Sequence, residues 1–154
     1  MKICRSVLEG RKLIDIIIVG VGKWEEYTKP CIESIQENEV GNIMLVDNGE
    51  KDTVRPICNV VSTEELMCYA KAMNKGMKYS CPDDWIIIIN NDVLCTGPID
   101  VSQLDKNTIY GAKKHERWGR EWLDGWIFVF HRDLWNDVGE FDEGFEVAAF
   151  EDAD

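Results

Sequence analysis

The sequence contains no pair of cysteines spaced as CxxC and no apolar run near the ~20 residues that a membrane span requires. Its six cysteines, Cys4, Cys31, Cys58, Cys68, Cys81 and Cys95, are scattered singly. Structural zinc sites of the ribbon type need close pairs, so that class is set aside. The first eleven residues are polar and do not resemble a signal peptide. A disulfide framework is therefore not expected, and the thiols read as reduced and mostly buried, with a cytoplasmic location. Basic residues are also scarce: 17 Lys and Arg stand against 29 Asp and Glu, a net charge of −12. Nucleic acid and anionic membrane surfaces both need clustered bases, so neither is expected as a partner. An anionic small molecule remains compatible if a metal or backbone amides supply positive charge locally. The two histidines, His115 and His131, are not spaced as a metal pair. No Ser-His-Asp or Cys-His arrangement points to nucleophilic catalysis. Repeats, low-complexity tracts and linkers are lacking, and 154 residues suit a single domain spanning 1–154.

What the chain does have is a series of short apolar runs. Residues 14–19, 42–46, 57–61 and 85–89 are apolar at nearly every position rather than every second one, which predicts strands buried on both faces. Later strands are predicted over 109–112 and 126–130. Between them, 24–38 carries Tyr27, Cys31, Ile32 and Ile35 at helical spacing, with Pro30 an awkward interior residue. A second helix is predicted over 63–79 from Leu66, Ala70, Met73 and Met77, with Ser62 or Thr63 as its cap. A short third covers 132–138 and stops at Gly139. This alternation predicts an α/β fold, a mostly parallel Rossmann-like sheet with helices on both faces.

In such sheets ligands sit outside the carboxyl ends of the strands. The residues there are Gly20-Val21-Gly22, Asp47-Asn48-Gly49 and Asn90-Asn91-Asp92, each small or polar after an apolar run. A carboxylate at a strand end, as at Asp92, suits a hard divalent cation that takes oxygen ligands and a bridging phosphate. The same residue types also serve as ordinary turn formers.

Four stretches resemble the family 2 glycosyltransferases of the GT-A fold, in that family's order. They are LVDNGE at 45–50, CYAKAMNKG at 68–76, WIIIINNDV at 85–93 (an NND variant of the DxD motif, as in the rhamnosyltransferase-like subgroup), and the segment 125–154 with its GEFDE and FEDAD motifs. The resemblance implies a GT-A fold, C-terminally truncated relative to that family. It implies a hexosyltransferase-like enzyme that moves a sugar from a nucleotide-diphosphate-sugar donor to the hydroxyl of a saccharide or other acceptor. Carried over residue by residue, it makes Asp92 the ligand of Mn2+ or Mg2+. Asn91 lies toward the ribose, Asn90 belongs to the same nucleotide-sugar site, Asp47 and Asn48 lie toward the base, and Gly20, Gly22 and Asn74 form the nucleotide wall. Asp152, supported by Glu151, becomes the base that takes the acceptor proton, with inversion at the anomeric carbon. The first strand departs from the family in ending Gly20-Val21-Gly22-Lys23. Homo-oligomerisation through an apolar patch is also open.

Two other readings stay open. Gly20-Val21-Gly22 with Asp47 resembles the start of a dinucleotide or S-adenosylmethionine loop, although Glu25 stands where that fingerprint needs glycine. A non-catalytic nucleotide-sugar-binding remnant is the third reading. Trp118, Trp122, Trp126 and Trp135 divide between core filling and sugar stacking, core filling being the commoner use. Lys113, Lys114, Arg117 and Arg120 read as a solvated loop.

Overall fold

The computed structural model describes residues 14–38, 41–49, 57–63, 65–81, 85–117 and 120–144. A six-stranded sheet organises them. Its strands in chain order are β1 (Ile14–Gly20), β2 (Asn42–Asp47), β3 (Asn59–Ser62), β4 (Trp85–Asn90), β5 (Tyr110–Gly111) and, after a separate hairpin, β8 (Ile127–His131). The spatial order is β3-β2-β1-β4-β8-β5. β1 pairs in parallel with β2 and β4, and β2 with β3. β8 runs antiparallel to β4 and to β5. The sheet is thus mixed, with a parallel central block as the sequence predicted and one reversed strand that hydropathy alone does not disclose.

Every residue of β1 is buried, and β4 is buried from Trp85 to Ile89. Two helices make this possible by covering opposite faces. Successive side chains alternate between them, as the two-residue repeat of a strand requires. On one face Ile16, Ile18, Ile87 and Ile89 meet Cys31, Ile32 and Ile35 of α1 (Lys29–Glu37). On the other, Ile17, Val19, Ile86 and Ile88 meet Ala72, Met73 and Met77 of α2 (Tyr69–Met77). Each fully buried isoleucine contributes about 1.5–3 kcal/mol of hydrophobic stabilisation, so the central strands dominate stability.

Both long helices differ from their predicted spans. Residues 24–38 do not form one α-helix: a π-helical turn, Trp24–Thr28, precedes α1. Pro30 consequently falls in the first turn of α1, where a missing N–H costs nothing, rather than in a helix interior. α2 begins at Tyr69 and not at Thr63, because Thr63, Glu65 and Met67 are engaged elsewhere. The Thr63 hydroxyl accepts from Gly49 N at 2.7 Å and donates to Glu65 O at 2.9 Å, so it caps no helix. These tertiary hydrogen bonds outcompete the helical pattern of the sequence. The third predicted strand is shorter, at Asn59–Ser62, and 109–112 contracts to Tyr110–Gly111.

β6 (Lys114–Arg117) and β7 (Arg120–Leu123) form a two-stranded hairpin where the sequence reads as a solvated loop. α3 (Arg132–Val138) follows β8 and ends at Gly139, as expected. His131 caps it, accepting from Asp133 N through Nδ1 at 3.2 Å. Among the described residues no helix is long and apolar enough to cross a membrane. Of the five described cysteines only Cys31 is fully buried, against the expectation that most would be.

Candidate functional site

β1, β2 and β4 all end at one edge of the sheet, and the reversal of β8 brings its start to that same edge. Asn90 N donates to Trp126 O at 3.1 Å, closing the gap between β4 and the entry to β8. Asn48 N donates to Gly20 O at 2.8 Å, joining the ends of β1 and β2. The three turns singled out in the sequence are therefore neighbours in space.

Asp92 is exposed, two residues beyond the last ladder pair of β4. The two asparagines before it are held by residues that the sequence did not mark. Asn90 Oδ1 accepts from the Tyr69 hydroxyl at 2.7 Å, and Asn91 Nδ2 donates to Thr28 Oγ1 at 2.8 Å. The Asp92 turn is thus pinned to the start of α2 on one side and to the π-helical turn on the other. Thr28 is itself buried against Gly20, where an added Cβ would lie 3.3 Å from Thr28 Oγ1 and 3.2 Å from Leu45 Cδ1. Gly20 therefore serves close packing. Gly22 has φ +58° and open space around it, and Lys23 follows with φ 51°, so two successive left-handed residues turn the chain away from β1.

Asp47 is buried at the end of β2. Asn48 is only 3% exposed, and its amide is spent within the protein. Nδ2 donates to Met67 O at 2.9 Å, while Oδ1 accepts from Met67 N at 2.9 Å. It acts as a surrogate strand for the segment leading to α2. Replacing Asn48 with alanine leaves Met67 N and O without these partners. We expect a loss of about 2–3 kcal/mol, measured by urea unfolding, since each lost neutral bond costs about 1 kcal/mol and buried orphans cost more. A midpoint equal to wild type would show the bonds to be replaceable by water.

Asn74 does not point its amide at these turns. It is 1% exposed, donates to Phe141 O and to Glu143 Oε1, both at 2.9 Å, and accepts from Phe141 N at 3.0 Å. Glu151 and Asp152 lie outside the described residues, as does Trp118. Trp85 is core, and Trp135 stacks on Phe130 at 6.1 Å, in keeping with the core-filling use. Trp126 is instead 40% exposed at the site edge. The hairpin brings together a pair nine residues apart that no spacing rule finds: His115 Nε2 lies 2.5 Å from Asp124 Oδ1.

The thiol of Cys31 lies beneath the site, with Sγ 3.9 Å from Asn90 O. Burial pushes its pKa up to about 12, the nearby Asp92 and Cys95 charges add to this, and a backbone hydrogen bond from Val93 opposes it. The sign follows from proton counting: above the ordinary thiol pKa of about 8.5 the unfolded chain releases a proton that the folded chain keeps. The Cys31 contribution is therefore intact below that pH and is lost as pH rises toward 12. Denaturation midpoints should fall more steeply over that range in wild type than in Cys31→Ala. Parallel slopes would remove Cys31 as the cause.

No three His, Cys, Asp or Glu side chains among the described residues converge as a metal cage. Asp92 nonetheless fits a hard divalent cation, because such ions are held by one or two carboxylates when a phosphate ligand supplies the remaining oxygens. The dinucleotide reading fares worse, since Glu25 and Glu26 occupy the first turn after Gly22, where a pyrophosphate would meet two carboxylates.

The order of strands, the two helix layers and the reversed β8 define the GT-A glycosyltransferase fold. Among solved structures that share it is GalNAc-T7 with UDP, GalNAc and Mn2+, which superposes with a TM-score of 0.65 over 92% of this chain at 10% identity. The chain spans 38% of the length of that protein. No family model and no curated protein matches the sequence.

Proposed function

We propose that this chain is the nucleotide-sugar-binding part of a family 2-like glycosyltransferase, transferring a sugar from a nucleotide-diphosphate-sugar to an acceptor hydroxyl with inversion. The observation that carries the reading is Asp92. It is an exposed carboxylate on a turn fixed from both sides, at the strand edge of a fold that in GalNAc-T7 accompanies UDP and Mn2+. Asp92 holds the divalent cation, Mn2+ or Mg2+, together with the donor diphosphate. The bound cation supplies neutralisation of the negative charge that builds on the leaving diphosphate. Asn90 and Asn91 fix the metal-bearing turn beside the ribose. Asp47 and Asn48, with Gly20 and Gly22, form the wall along the base, Asn48 by holding the segment at Met67 in place. Asp152, supported by Glu151, takes the proton from the acceptor hydroxyl as its oxygen attacks the anomeric carbon.

Melting temperature is the direct test, measured against nucleoside diphosphates, nucleotide-sugars, NAD and S-adenosylmethionine, each with and without manganese. A manganese-dependent rise with one nucleoside diphosphate is expected. Stabilisation by NAD or S-adenosylmethionine, or by none of the ligands, would overturn the proposal.

A further inference from the structure

An apolar cavity of about 370 Å³ opens beside the Asp92 turn. Interior packing leaves few voids larger than one water, about 30 Å³, so a space of this size is not a packing fault. It falls instead in the range of small-molecule sites. Its floor is Ile16, Ile35, Ile87 and Ile89, on the α1 face of the sheet, and residues 93–99 form one wall. Ile87 lies three residues below Asn90 on β4, so the cavity runs about 10 Å down the sheet at roughly 3.3 Å per residue. Leu94 and Trp126 border it and are 62% and 40% exposed, which places them at its mouth. That mouth adjoins the proposed metal-bearing turn: Leu94 is two residues past Asp92, and Trp126 O accepts from Asn90 N.

We infer that this cavity holds the apolar aglycone of the acceptor, an aliphatic chain whose attached sugar then stands at the mouth beside Asp92. The acceptor role rests on the functional reading above. The lining selects the occupant. Among the described residues no charged side chain lines the cavity. Within the wall, Cys95 has its polar groups engaged: its N–H donates to Ser34 Oγ at 2.9 Å, its C=O accepts from Asn38 Nδ2 at 3.1 Å, and its thiol donates to Gly97 O at 3.1 Å. Thr96, the one hydroxyl on the wall, is exposed, and Pro98 has no N–H. A nucleotide base or a polypeptide segment entering here would bury ring nitrogens, N–H or C=O groups without partners. An aliphatic chain carries no such groups. Trp126, with an apolar ring and a polar N–H, suits the boundary between chain and sugar.

The experiment measures Kd on the full chain, by calorimetry, for methyl, hexyl and octyl β-D-glucosides below their micelle concentrations. Beside it runs the manganese-dependent melting shift with nucleoside diphosphate. The head group is constant, so differences in Kd report the tail. Affinity is expected to rise about fourfold for each methylene taken up. The melting shifts of octyl glucoside and nucleotide are expected to add, since tail and donor occupy different space. Leu94→Asp sets a charge at the mouth and Trp126→Ala removes its ring. Each is expected to weaken octyl glucoside binding by about tenfold or more and to flatten the dependence on chain length. Both side chains are exposed, so both variants are expected to fold, and Trp126→Ala to keep the nucleotide shift. Equal affinity for the three glucosides, or a chain-length dependence that survives in both variants, overturns the inference. Mutual exclusion of octyl glucoside and nucleotide, or loss of the nucleotide shift in Trp126→Ala, also overturns it, by making the cavity part of the donor site. Tail binding by a wild type that shows no nucleotide shift defeats the functional reading and removes the acceptor role with it. A nucleotide shift without tail binding defeats this inference alone.

Discussion

Asp92→Ala is expected to erase the manganese-dependent stabilisation by nucleoside diphosphate. At a ligand concentration of a hundred times Kd that stabilisation amounts to about 2.7 kcal/mol. The reasoning is electrostatic. With a net charge of −12, the protein repels a diphosphate at long range, so binding needs a local positive centre. An ion held by one carboxylate and the diphosphate itself supplies that centre, and without the carboxylate neither partner holds the ion in place. Asp92 is exposed on a turn whose shape is set by Tyr69 and Thr28, so its removal should leave the ligand-free melting temperature within about 1 °C of wild type, as for other surface substitutions. Asp92→Asn separates charge from shape and should behave like the alanine variant. A variant that keeps the shift would move the metal to another residue. A variant already unfolded without ligand would show that the turn depends on the carboxylate itself.

Gly76→Val is expected to produce the largest loss of stability, about 3 kcal/mol, or a fall in melting temperature of roughly 6–12 °C for a chain of this size. Gly76 lies inside α2, where glycine is unfavourable by about 1 kcal/mol against alanine. Its presence is explained by distance. A Cβ there would stand 2.6 Å from Ile17 Cγ2 and 3.0 Å from Val46 Cγ2. Ile17 and Val46 are fully buried in the sheet and have no free volume into which to turn. Helix and sheet would have to part, loosening the contacts of Met73 and Met77 on the same face. Pairing Gly76→Val with Ile17→Ala should recover part of the loss, because contacting residues couple. Thermal unfolding of the three variants decides the matter: a Gly76→Val midpoint within about 2 °C of wild type would falsify the close-packing account.

β4 was legible in the sequence because its signal is redundant: five consecutive apolar residues, then three polar ones that can only end a strand. β1 carried a similar signal, an apolar run broken only by Asp15 and closed by glycines, and β4 placed the Asp92 turn at a strand end. The hairpin of β6 and β7 was not legible. KHER has no apolar residue and REWL has Trp122 and Leu123 side by side, so neither shows the alternation that marks a half-buried strand. The contact of His115 with Asp124 was hidden for the same reason, since it exists only in that register. The start of α2 was misread because the helical spacing from Leu66 onward is real, yet Asn48 claims the backbone of Met67 first. Asn48 and Asn74 were recognised as residues of interest but not for their bonds, which join positions 19 and 67 apart in the chain. Local pattern reveals strands and their ends; side-chain amides that act as backbone substitutes become visible only once the fold is assembled.

The all-buried character of β1 bears on how the chain survives its own synthesis. β4, which covers one edge of β1, emerges about 65 residues later, and at 5–20 residues per second that leaves the edge open for roughly 3–13 s. A bare run of isoleucines would be an adhesive template for other nascent chains during that interval. Asp15 interrupts the run with a charge that is fully solvated until pairing occurs. The finished fold then absorbs the charge: Asn42 Nδ2 donates to one of its oxygens at 3.1 Å, and the backbone N–H of Cys81 donates to the other. One acidic residue thus breaks the apolar run of the nascent strand, and in the finished fold it is met by Asn42, by Cys81 and by the nearby charge of Arg132.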